Sequence, residues 1–200
     1  EQRSYTHPDF DPIWAGFAEQ GVPVALHTAA NGDYNAVSPS FRNNGRTPIA
    51  LGGDAPFGEL GLLNIGASAQ LFLSAMIFDE VFARHPSLRV LSMEHGASWV
   101  PGWLQQMDFT ANTFKHFRKF VEKPSETAKR HLKFSPFSGE PVGWIIDSIG
   151  PDMLVFASDY PHPEGTADPI KRFERSMPNC DQEVMDKFYY GNMLELMGGA

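Results

Sequence analysis

The chain has 200 residues, 42% hydrophobic and 20% charged, the composition of a folded domain rather than a disordered segment. Sixteen Lys and Arg against 24 Asp and Glu leave a formal net charge of −8, the wrong sign for holding a nucleic-acid backbone. Cys180 stands alone, which excludes an internal disulfide, and no uninterrupted apolar run reaches the roughly 18 residues of a bilayer-spanning helix.

The expectation is a single domain over 1–200, cytoplasmic, with no nucleic-acid or membrane partner and no apolar signal core in residues 1–9. The one basic cluster, 115–123, alternates with Phe114, Phe117 and Phe120 and reads as the solvated face of a helix.

Asp11-Pro12 followed by Ile13, Trp14, Phe17 and Ala18 predicts a short amphipathic helix that Gly21 ends. Residues 22–28 (VPVALHT) form an apolar run suited to a buried parallel strand. A polar loop rich in Gly, Asn and Pro spans 29–64, a length usually reserved for function. Residues 65–84 are apolar almost all round and predict one buried helix, stopped by His85-Pro86. The second strand is 88–93 (LRVLSM). Ser98 is the expected cap of a long helix, with Pro101 in its first turn and Trp99, Trp103, Leu104, Met107, Ala111 and Phe114 on one face. A short helix from Ser125, a third strand at 131–135, a helix at 142–149 and a fourth strand at 153–158 (MLVFAS) follow, then helices at 168–176, 181–189 and 192–197.

The order is a helix and then β-α four times over. Such alternation implies an α/β fold with parallel strands and helices outside, as in a doubly wound sheet or a (β/α) barrel. Four units amount to half of the eight in a closed TIM barrel.

Polar residues stand where the apolar runs stop: His27, Glu94-His95, Ser135 and Asp159. They are too far apart for a local ligand motif, and meet only if parallel strands bring their carboxyl ends together. In barrels that rim carries the active site. Two imidazoles and a carboxylate there suit a divalent transition metal. Each also has a plain structural reading, as a satisfied strand-end histidine or a loop-anchoring aspartate.

Four segments carrying these residues resemble the amidohydrolase-related family of metal-dependent TIM-barrel enzymes, the branch of aminocarboxymuconate-semialdehyde decarboxylase. They are FDPIWAGFAEQGVPVALHT, HPSLRVLSMEHGASWVPGWLQQMD, FSPFSGEPVGWIIDSIG and MLVFASDYPHPEG, and the closing YYGNMLELMG is similar to the family's terminal helix. The resemblance implies barrel strands five to eight, with His27 a metal ligand on the fifth. It implies that His95, on the sixth, activates or orients a metal-bound water, and so needs a pKa near the working pH. Asp159 on the eighth would be a metal ligand that also shuttles a proton. His162 would line the substrate pocket, and Glu94 would brace the ligands from behind.

The family's opening His-x-His pair has no counterpart here. The upstream His7 precedes a helix, His85 lies in a turn and His131 starts a strand. The chain therefore reads as the C-terminal half of such a barrel, with part of the ligand set outside it.

The resemblance implies a divalent metal, zinc in most members, and a small substrate carrying a carboxylate, for which Arg42 and Arg46 of the long loop are the candidate anchors. The expected chemistry is metal-activated hydrolysis. One alternative is non-oxidative decarboxylation by the same centre, and another is a non-catalytic half-barrel without a competent metal site. A third reading, a Schiff-base enzyme using Lys133, requires a dry pocket around that amine. Unpaired sheet edges and uncovered apolar faces predict self-association into a homo-oligomer.

Overall fold

The computed structural model describes residues 3–28, 40, 45–47, 58–162 and 165–199. Among them, three parallel strands form one sheet: β1 (Val24–His27), β2 (Val90–Met93) and β3 (Leu132–Phe134), in that spatial order. Val24 is opposite Val90 and His27 opposite Met93, while Ser92 faces Phe134. The register brings all three carboxyl ends to one rim. β2 is central and buried for most of its length, whereas β1, with β2 its one partner among the described residues, alternates exposed and half-buried positions.

Helices carry the chain from strand to strand. The first, Asp11–Gln20, ends as expected at Gly21, whose φ of 63° suits a residue without a Cβ. The helix expected at 65–84 is divided into Ala67–Phe78 and Val81–Arg84, and Glu59–Leu63 forms a further helix inside the stretch read as loop. The break falls at Asp79-Glu80. There the Asp79 carboxylate accepts from Thr6 Oγ1 at 2.6 Å and its carbonyl from Arg84 Nη1 at 2.6 Å, while Glu80 turns to a φ of 57°.

Residues Glu59–Phe78 are long and apolar enough, with mean hydropathy 1.6, to cross a bilayer by length and composition. In the fold a turn at 64–66 interrupts them, and Ala69, Leu73, Met76 and Ile77 are buried in the core.

The core lies between the sheet and the helices Ala67–Phe78, Val100–Thr113 and Val142–Ile149. Trp99, Trp103 and Phe134 meet edge to face in it, their ring centroids 5.3 to 6.2 Å apart.

The fourth expected strand is reduced to one parallel bridge between Phe134 and Leu154: Val155 N donates to the Phe134 carbonyl at 2.9 Å, but the next amide, Phe156 N, turns to the Phe188 carbonyl at 3.0 Å and leaves the ladder. The segment is held instead by Asn192. This buried amide donates to the carbonyls of Pro151 and Leu154, each at 2.7 Å. The Schiff-base reading of Lys133 fails here too. Its Nζ donates to the Asp152 carbonyl and to Glu195 Oε2, both at 2.6 Å, so the amine is engaged by two neighbours instead of facing an empty pocket.

Candidate metal and substrate site

The acidic residues at the rim are set by unusual backbone. Glu94, directly after β2, has a φ of 56°, and Asp159, beyond the Leu154 bridge, a φ of 52°. Left-handed geometry costs a residue with a Cβ about 1–2 kcal/mol and persists where the surroundings enforce it. For Asp159 the enforcement is visible. His162 N donates to the Asp159 carbonyl at 2.9 Å, and Gly165 packs so closely on that carbonyl that a Cβ would collide with it.

Glu94, Asp159 and His162 each offer one ligand atom, and these atoms lie within 4.8 Å of one another. His162 Nδ1 is 3.9 Å from Asp159 Oδ1, and His27 Nε2 is 2.9 Å from Glu94 Oε1. His27 is thus joined to the group through Glu94, with its Nδ1 on the Thr28 carbonyl at 2.8 Å. The donor set fits a divalent ion on electrostatic grounds. Two carboxylates this close repel by about 1–3 kcal/mol in a partly solvated site, which a dication reverses. Mixed carboxylate and imidazole donors suit zinc or manganese.

His95, next in the chain after Glu94, is 2% exposed. One ring nitrogen, Nδ1, is 3.0 Å from Ser92 Oγ, and the ring lines a cavity of about 550 Å³. Burial, with a smaller contribution from the charge of His27, holds its pKa down to about 4. At neutral pH His95 is an uncharged ring, suited to accept a hydrogen bond and a poor proton reservoir.

The loop that carries His95 is fastened from both ends. Trp99 Nε1 donates to the carbonyls of His95 and Gly96 at 3.0 and 3.1 Å. From the loop after β3, Glu140 accepts from the backbone N–H groups of Ala97, Ser98 and Phe137 at 2.7 to 3.1 Å. Ser98 was the expected cap of the helix Val100–Thr113, but no side chain caps that helix locally, and Glu140 serves the preceding amides from 42 and 43 residues away. Its position in FSPFSGEP is its only mark in the sequence.

Ser135 continues the sheet, its N–H donating to the Ser92 carbonyl at 3.0 Å. Arg42 lies outside the described residues. Arg46 is exposed, and among the described residues lining the cavity the guanidinium belongs to Arg172.

Acid and imidazole side chains gathered at the carboxyl ends of parallel strands, beside a cavity, are the arrangement of a (β/α)-barrel mouth, and the three-stranded parallel sheet is consistent with part of such a barrel. The amidohydrolase family model matches residues 1–198, and the chain belongs to that family.

Solved structures agree on the fold. An amidohydrolase of Mycobacterium avium subsp. paratuberculosis K-10 is 27% identical with a TM-score of 0.80, over 98% of this chain and 47% of its own. The 5-carboxyvanillate decarboxylase of Sphingomonas paucimobilis is 21% identical with a TM-score of 0.73, over 99% of this chain and 56% of its own. The 5-carboxyvanillate decarboxylase of Novosphingobium aromaticivorans DSM 12444, solved with manganese and a nitrobenzoic acid, is 18% identical with a TM-score of 0.74, over 98% and 53%. The chain spans about half the length of these structures.

Proposed function

We propose that this chain carries the metal-binding and substrate-facing half of an amidohydrolase-family enzyme whose β1, β2, β3 and Leu154 segments correspond to barrel strands five to eight. The observation that carries this reading is the convergence of Glu94, Asp159 and His162 within 4.8 Å, with His27 on Glu94. Asp159 and His162 would hold the ion directly, and Glu94 and His27 would complete or brace the set. A bound zinc or manganese ion would supply Lewis acidity toward a substrate oxygen. His95, uncharged and fixed by Ser92, would orient a polar group of the substrate from the cavity side.

The substrate class is a small carboxylate-bearing molecule. Hydrolysis is the reading that follows from the family. The decarboxylase structures of the same fold, one of them crystallised with manganese, favour non-oxidative decarboxylation as the second reading. Both are tested by loading the chain with manganese or zinc and assaying carbon dioxide release from 5-carboxyvanillate beside hydrolysis of a chromogenic ester and a lactone. Metal-dependent turnover in either assay that is lost in Asp159→Asn supports the proposal. Turnover indifferent to chelator, or none in either assay with the ion bound, overturns it in favour of a non-catalytic half-barrel.

Self-association belongs to the same proposal. β1 pairs with β2 alone among the described residues, and Phe17 and Val22 are exposed nearby in the chain. A compact monomer at micromolar concentration by light scattering would count against it.

A further inference from the structure

The cavity beside His95 has a second charged feature. Its walls are apolar where Leu62, Leu63, Ile65, Trp99 and Phe137 face it, and among the described residues its charged side chains are Glu140 and Arg172. About 550 Å³ is within the usual range of a small-molecule site and ample for a single aromatic ring or a short acyl chain.

The two charges are not equally available. Both Glu140 oxygens already accept backbone N–H groups, Oε1 from Ala97 and Ser98 and Oε2 from Ala97 and Phe137. Arg172, on the exposed first turn of the helix Pro169–Ser176, lies over the loop after β3, with Nη2 3.6 Å from where a Cβ on Gly139 would be. No carboxylate among the described residues pairs with its guanidinium. Asp168, one turn earlier, pairs instead with Lys171 at 3.1 Å. An uncommitted guanidinium at the edge of an apolar cavity is a fork for a planar anion.

We propose that Arg172 is the carboxylate anchor of this cavity, and that the cavity takes an apolar or aromatic acid whose ring or chain lies between Leu63, Trp99 and Phe137. The inference rests on the reading of the His95 side as the substrate side, and it replaces the loop arginines as the source of positive charge. His95 and Gly165 connect the two regions: His95 lines the cavity, and Gly165 lines it while packing on the Asp159 carbonyl. The cavity therefore adjoins the backbone that positions Asp159.

The test uses fluorine NMR titrations of the purified chain with 4-fluorobenzoate and, as a neutral control, 4-fluorobenzyl alcohol. Titrations are run after EDTA treatment and again with zinc added. In metal-free protein, 4-fluorobenzoate is expected to bind and to weaken about tenfold or more in Arg172→Gln, the loss expected for a charge-assisted pair. Arg172→Lys should fall between, and the alcohol should be indifferent to both. Equal benzoate binding in Arg172→Gln and the unaltered chain, or none in either, overturns the proposal. Benzoate binding that needs zinc and is lost in Asp159→Asn assigns the carboxylate to the ion, overturning the anchor while leaving the proposed function intact. Arg172-dependent binding in a chain that takes up no metal does the reverse.

Discussion

Removing the Glu140 carboxylate should loosen the loop that carries His95. Two oxygens accept four hydrogen bonds from three backbone N–H groups, in a half-buried position between the loops after β2 and β3. Hydrogen bonds to a charged acceptor contribute about 1.5–3 kcal/mol each in isolation, but they share one side chain and part of their desolvation cost, so Glu140→Ala should cost about 2–4 kcal/mol in total. For a domain of this size that lowers the melting temperature by about 5–15 °C. Glu140→Gln should cost nearly as much, because its amide must turn an N–H toward one of the backbone donors. Thermal unfolding followed by circular dichroism gives the global figure, and hydrogen exchange at the amides of Ala97, Ser98 and Phe137 the local one. Those three amides should lose protection together. A melting point within about 2 °C of the unaltered chain, with all three still protected, would refute the reasoning.

Other consequences follow from the same contacts. His131 is buried against Phe82, its Nδ1 at 2.8 Å from the Leu88 carbonyl, and burial lowers its pKa. The unfolded chain then binds more protons than the folded one below the ordinary histidine range, so stability should fall as pH drops through about 6.5. The slope should shrink in His131→Gln, and an unchanged slope would contradict the assignment. Asn192→Leu removes both donors that hold Pro151 and Leu154, and should destabilise the chain by about 2–3 kcal/mol in denaturant titrations. Gly165→Ala should displace Asp159 and weaken manganese binding with little loss of global stability, since it acts on one loop.

The reach of the sequence differs between the fold and the site. Strand ends were legible because His27, Glu94 and Asp159 follow short apolar runs, and parallel order follows from helix and strand alternation. The helix Val142–Ile149 has the expected bounds because its apolar face is unbroken and Gly150 ends it. The run 153–158 looked like the earlier strands, yet strand formation depends on neighbours, and Leu154 alone finds a ladder partner. The break at Asp79-Glu80 has no mark within 65–84, because one of the contacts that hold Asp79 comes from Thr6, far away in the chain. Glu140 and Arg172 carry no local mark for the same reason: one serves amides across two helices and a strand, the other reaches a cavity lined by helices and loops from distant parts of the chain. The depressed pKa of His95 also needed the fold, since burial and the nearness of His27 set it.

Manganese titration followed by electron paramagnetic resonance tests most directly the proposal that one divalent ion is held by Asp159 and His162, with Glu94 beside them. One ion per chain should bind, with affinity falling about tenfold or more in Asp159→Asn and in His162→Ala, and less in His95→Gln. Binding of equal strength in the Asp159 and His162 variants, or no binding by a folded chain, would contradict it.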